Sequence, residues 1–267
     1  MPANTARRVL LTAALAGVAS LAQAADVLVF SSGDGEVDAA AVGLLESAGH
    51  DVTVGVQIWE LTGTEDLSAH DSILALCGPN WYQIYSNFTE PAQQLIADYA
   101  NAGGGIVFSE WIGYCTQFEA VLPEILPTTY QFYASHESVT LNRASAPGAE
   151  GTTVTCQMPQ SVSAPADDFS GSESVLVAKP GATVFFDSET AGGAGVAGWN
   201  VGSGRVLQFS STIGPNQLTD FTFSRLVLNA IEWTTETEPC AADIVRDGLL
   251  DLSDVTAFVT AFTGGCE

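Results

Sequence analysis

The sequence predicts an α/β protein: a mainly parallel sheet with helices on both faces, extra antiparallel strands, and a small helical tail. Three observations carry this. Short continuous apolar runs alternate with stretches of helical period through the first half of the chain, the pattern of parallel strands covered on both sides. Short strand-like pieces parted by Gly, Pro and Ser fill the second half. The polar segment "TTETEPC", residues 234–240, then sets off a terminal stretch whose acidic residues recur at regular intervals.

Residues 1–24 come first. "MPANTARR" is basic, "VLLTAALAGVASL" is apolar, and "AQA" places small residues before Ala25, so this stretch reads as a secretory signal peptide. No later stretch approaches the roughly 20 apolar residues of a membrane span, which predicts a secreted or cell-surface protein without a span after cleavage. The main domain then runs over 25–236. "DVLVF" (26–30) is a strand, "VDAAAVGLLESAG" (37–49) a helix that stops at Gly49, "DVTVGV" (51–56) and "DSILALC" (71–77) strands. "EPAQQLIADYANAG" (90–103) is a helix with Pro91 in its first turn and Gly103 at its end, and "GIVFS" (105–109) follows as a strand. Beyond residue 115 the strand-like pieces are "SVTLN", "TTVTC", "SVLVA", "TVFFD", "GVAGWN" and "RVLQFSS". The tract at 163–174 reads as a surface loop, and "DFTFSRLVLNAIEW" (220–233) as the closing helix.

The chain carries 7 basic and 31 acidic residues; Arg7 and Arg8 leave with the leader, so the mature balance is 5 against 31, or −26. Such a chain repels nucleic acid and anionic membranes. Five cysteines are an odd number for an exported chain. Cys240 and Cys266 bracket the tail, and a bridge between them, worth roughly 3 kcal/mol, is the expected disulfide. Of Cys77, Cys115 and Cys156 at least one stays unpaired within the chain, and Cys77 with Cys115 is one pairing open to them.

The order "DVLVFSS", "AHDSILALCGPNW", "LIADYANAGGGIVFSEW", "GVAGWNVGSGRVLQFSSTIG" and "FSRLVLNAIEW" resembles the ThuA-like, class I glutamine-amidotransferase-like family over nearly all of 26–234. The resemblance implies a flavodoxin-like fold. In open α/β sheets ligands bind beyond the carboxyl ends of the strands. Here those ends supply Ser32 and Asp34, then Asn80 and Trp81, then Ser109, Glu110 and Trp111, and late in the chain Asn216. Short polar side chains, two indoles and one carboxylate suit a cleft that reads hydroxyls and stacks a sugar ring, so Ser32, Asp34, Asn80, Trp81, Glu110, Trp111 and Asn216 are the expected ligand contacts. Amidotransferase relatives place a nucleophilic Cys in the turn after this strand; the alignment puts Ser109 or Glu110 there instead. His136 is the one histidine with access to either. Catalysis is expected to fail for want of a convergent set of groups; the alternative is a hydrolase or sugar-modifying enzyme with Glu110 as general base and His136 or Asp34 as its partner, the catalytic candidates being Glu110, Ser109 and His136.

In the tail, "DIVRDGLLDLSD" follows the spacing of an EF-hand calcium loop: Asp243 at position 1, Asp247 at 5, Gly248 at 6, the Leu249 carbonyl at 7, Asp251 at 9 and Asp254 at 12, with Val245 where position 3 needs a ligand. Val255, Phe258, Val259 and Phe262 follow at i, i+3, i+4 and i+7, which predicts a helix with one buried face. Residues 240–266 resemble a single dockerin-type repeat, which implies weakly bound calcium and a cell-surface or cohesin-like partner. A plain capped helix is the other reading. The whole predicts an exported binding module with a possible carbohydrate ligand, attached through its tail (237–267).

Overall fold

The computed structural model describes residues 24–146, 148–149, 152–166, 172–235 and 252–264. Of the predicted leader over residues 1–24, the first 23 lie outside them, and so do Asp243, Asp247, Leu249, Asp251, Cys240 and Cys266.

The first half follows the predicted alternation. Strand β1 (Asp26–Phe30), helix α1 (Gly35–Ser47), β2 (Asp51–Gly55) and β3 (Ser72–Ala75) are followed by the one-turn α2 (Trp81–Ile84), helix α3 (Glu90–Ala102) and β4 (Gly105–Phe108). Asp34 caps α1 by accepting from the backbone of Glu36 and Val37. The glycine triplet has a distinct reason at each position: Gly103 ends α3 with φ of 122°, while a Cβ on Gly104 would sit 2.2 Å from the Tyr99 ring.

Next come the short α4 (Ile112–Thr116) and α5 (Leu122–Ile125), then β5 (Thr128–Ser135), β6 (Ser138–Arg143), β7 (Ser161–Pro165), β8 (Ser172–Ala178), β9 (Thr183–Ser188), β10 (Ala194–Val201) and β11 (Gly204–Phe209). Helices α6 (Pro215–Leu218), α7 (Phe221–Thr235) and α8 (Leu252–Gly264) complete the described chain. Among the described residues the main sheet has the order β2-β1-β3-β4-β11-β10-β9-β6-β7. Neighbours from β2 to β11 pair in parallel, and those from β11 to β7 antiparallel. β5 and β8 form a separate antiparallel ribbon.

Both faces are covered, as continuous apolar strands require. Val27 and Val29 pack with Val37, Leu45, Leu226 and Ala230 on one side; Leu28 and Phe30 pack with Ile96, Ala100 and Phe108 on the other.

Several expectations are corrected. "TTVTC" is a 3-10 turn over Thr153–Thr155, because the Asn229 amide on α7 takes the carbonyls of Val154 and Cys156 at 3.2 and 2.8 Å and so occupies the groups a ladder would use. The stretch 163–174 is no mere surface loop: β7 occupies its start, β8 its end, and Glu173 and Ser174 are buried. Cys156 is disulfide-bonded, whereas Cys77 and Cys115 are free thiols. The free thiols of Cys77 and Cys115 remove the pairing of those two, while the expected Cys240 to Cys266 bridge lies outside the described residues. In α8, Asp254 is buried, but Val255, Phe258 and Val259 are each half exposed, against the expected buried face. Among the described residues no helix is long and apolar enough to cross a membrane.

Candidate functional site

The crest of the sheet, where β1, β3, β4 and β11 end, is organised by one residue with unusual backbone geometry. Trp111 has φ 76° and ψ −24°, left-handed for a bulky side chain, at the start of α4. Such a turn from strand to helix costs about 1–3 kcal/mol and persists only when its surroundings impose it. They do so here. The Glu110 N–H donates to the Ser211 carbonyl at 2.9 Å, the Ser109 N–H to the Ala75 carbonyl at 3.1 Å, and the Cys115 N–H to the Trp111 carbonyl at 2.8 Å.

The sharp turn projects the Trp111 indole onto Trp81, with ring centroids 4.6 Å apart and planes 17° from parallel. Tyr114 meets both indoles edge-on, Tyr130 meets Tyr114, and Tyr133 leans on Trp111 at 6.2 Å. Trp111 is buried by this packing and its indole N–H lacks a partner; Trp81 is half-buried, and Tyr82 and Tyr133 expose 60% and 58% of their surface. The result is an aromatic shelf in which Trp81 stays partly exposed.

Beneath the shelf sit two carboxyl groups. Glu110 is fully buried; its Oε1 accepts from the Ser174 hydroxyl at 3.2 Å, and its Oε2 has no partner. Burial pushes the Glu110 carboxyl well above the usual carboxylate range, the Ser174 hydrogen bond opposes this, and the charge of Glu173 adds to it. Glu173, also fully buried, accepts from Ser210 and Thr190, both at 2.5 Å. The sequence places Glu173 in an apparent polar loop, so its partnership with Glu110 is visible only once β8 is brought beside β11.

The remaining predicted residues divide. Ser109 is buried and its hydroxyl accepts the Cys77 N–H at 3.0 Å. Burial raises the Cys77 thiol to about 12. His136 is half-buried after β5, its Nε2 without a partner, and no hydrogen bond joins it to Ser109 or Glu110. Ser32 is buried and bonds the Asp38 carboxylate through its N–H and hydroxyl, both at 2.7 Å, while Asp34 caps α1; both serve the turn itself. The Asn216 amide bonds the Ala166 carbonyl at 3.3 Å. Asn80 stays at the crest beside Trp81, with its Oδ1 unpartnered, and so does Gln57, which the sequence reading missed because nothing in "VQIW" marks it. Among the described residues no three His, Cys, Asp or Glu side chains gather within metal-binding reach.

No protein-family model matches the chain, and no curated protein matches it. Solved structures do. A cytoplasmic protein of Salmonella typhimurium LT2 superposes with a TM-score of 0.62 at 16% identity, covering 79% of this chain and 100% of that one. A ThuA-like protein of Parabacteroides merdae gives 0.59 at 12% identity, over 81% of this chain and 92% of that one. The fold is ThuA-like. A cold-adapted β-galactosidase of Rahnella sp. R3 contains a similar unit: 78% of this chain matches 30% of that one, with a TM-score of 0.53 at 16% identity.

In the turn after β4, which Ser109 and Glu110 begin, Trp111 holds the left-handed position. Glu110 still titrates in a telling way. Its proton is held more tightly in the folded than in the unfolded chain, so its contribution to stability is complete below the unfolded value of about 4.3 and is lost as pH rises towards the folded value. Glu110→Gln keeps the shape and removes the charge. Its stability relative to wild type should therefore rise with pH above about 4.3, as measured by urea denaturation; a difference independent of pH contradicts the raised value.

Proposed function

We propose that this chain is an exported recognition protein that binds carbohydrate at the aromatic crest of its ThuA-like domain and performs no chemistry there. The observation that carries the reading is the stacked Trp81–Trp111 pair, with Trp111 at the strained turn where a catalyst would keep its nucleophile. A partly open indole flanked by tyrosines and unpaired amide groups suits a sugar ring, which is apolar on its faces and polar on its rim. The occurrence of this fold within a β-galactosidase gives it a carbohydrate setting. Against the rival reading, a hydrolase with Glu110 as general base, stands the complete burial of both Glu110 and Glu173, which leaves a substrate no route to either carboxyl group.

Export rests on the leader, and attachment on the tail, where the spacing of Asp243, Asp247, Asp251 and Asp254 supports a weak calcium loop that draws a cell-surface or cohesin-like partner.

Two experiments test the reading. A glycan array probed with the full exported chain should show binding to neutral saccharides, weakened about tenfold by Trp81→Ala; uniform silence of the wild type removes the carbohydrate assignment. Calorimetric titration of calcium into the same chain should give a saturable signal that Asp243→Ala with Asp247→Ala abolishes. Identical traces for the two proteins remove the metal from the account.

A further inference from the structure

We infer that the ligand seats at the crevice between β1 and β3, where Gln57 and Asn80 read its hydroxyl groups, and that the seat takes an uncharged polyol and rejects a sugar phosphate. This rests on the carbohydrate reading above and specifies its site and ligand class.

The sheet order places the crevice. From β1 the chain moves to β2 on one side, then returns to lay β3 on the other, so the order reverses between β1 and β3. The turns that leave two such strands diverge to opposite faces, which opens a cleft above the strand ends. Its floor is closed: a Cβ on Gly78 would lie 2.2 Å from the Ser32 carbonyl oxygen, so the exits of β3 and β1 touch backbone to backbone.

Above that floor two amides converge on bare backbone. A Cβ on Gly33 would lie 2.7 Å from Gln57 Oε1 and 2.8 Å from Asn80 Nδ2, and Gly33 itself is exposed with φ 78°. Gln57 Oε1 and Asn80 Oδ1 are both shielded from solvent and lack a donor. Leaving a shielded carbonyl oxygen unpaired costs about 1–3 kcal/mol, a cost that a bound hydroxyl relieves. The terminal torsions of Gln and Asn are soft, so a modest rotation turns each amide towards the cleft. Each then accepts from one ligand hydroxyl and donates to another oxygen, the pattern a neutral polyol satisfies. Trp81 follows Asn80 directly and supplies the ring face.

Charge decides the ligand class. The N-terminus of α1, just past Gly33, is where a phosphate would seek backbone N–H groups. Asp34 already occupies it, accepting from Glu36 N at 2.9 Å and Val37 N at 3.4 Å, and Glu36 and Asp38 stand in the first turn. Asp38 in turn holds Ser31 and Ser32. The position is filled by the chain's own carboxylates, and their charge repels an incoming phosphate.

The test uses the full exported chain on an array of neutral oligosaccharides and the same glycans carrying a phosphomonoester. The expected result is binding to neutral glycans and at least about tenfold weaker binding to the phosphorylated ones, with Gln57→Leu and Asn80→Leu each weakening neutral binding by about tenfold. Because Gln57→Leu removes an unpaired amide, its thermal midpoint should hold or rise while binding falls, which a merely structural glutamine would not do. Wild-type affinity in both variants, or equal binding of phosphorylated glycans, overturns the inference and leaves the Trp81 reading standing. A wild-type chain that binds no glycan removes both.

Discussion

The left-handed turn at Trp111 is the constraint on which the crest depends. It is imposed from below by strand pairing: β4 is held between β3 and β11, and the hydrogen bond from Glu110 to Ser211 carries that pairing two residues past the regular strand. The chain must then turn abruptly into α4, and the side chain at the turn is pushed up and outwards. With an indole there, the crest becomes aromatic, because Trp81, Tyr114 and Tyr133 all pack on Trp111 directly. A thiol or hydroxyl in the same place would stand alone and exposed.

The polar layer under the shelf explains how the strain is held. Glu110 and Glu173 come from distant parts of the chain, and each is tied to hydroxyls: Ser174 for one, Ser210 and Thr190 for the other. These bonds fasten the β5–β8 ribbon to the ends of β4 and β11, which also brings Tyr130 and Tyr133 to the aromatic group. Two carboxyl groups buried together favour a neutral Glu110, whose Oε1 accepts from the Ser174 hydroxyl. The few cations of this acidic chain are used in a comparable way: Lys179 donates to the Pro123 carbonyl and lies over Trp199, and Arg205 donates to the Trp233 carbonyl and lies over that ring.

Much of the main sheet was legible in the sequence, because strands buried on both faces must be apolar throughout and helices must carry one apolar stripe. "DVLVF", "GIVF" and the glycine triplet announce themselves for that reason. The strand ends Asn80, Trp81, Glu110 and Trp111 were legible too, since strand order puts them on one edge. Glu173 and Gln57 were hidden, because their importance arises from pairings remote in the chain: Glu173 lies beside Ser211, and Gln57 beside Gly33. Ser32 and Asp34 looked like ligand contacts, yet short polar residues before a helix more often serve its cap, and here they do.

The five tryptophans offer a direct test of the central claim that the strained turn serves recognition. A neutral oligosaccharide titrated into the nitrogen-labelled chain, with the indole N–H signals followed by magnetic resonance, should shift Trp81 and Trp111 and leave Trp59, Trp199 and Trp233 in place. Shifts confined to the other three indoles, or turnover of the sugar with the crest pair unmoved, would contradict it.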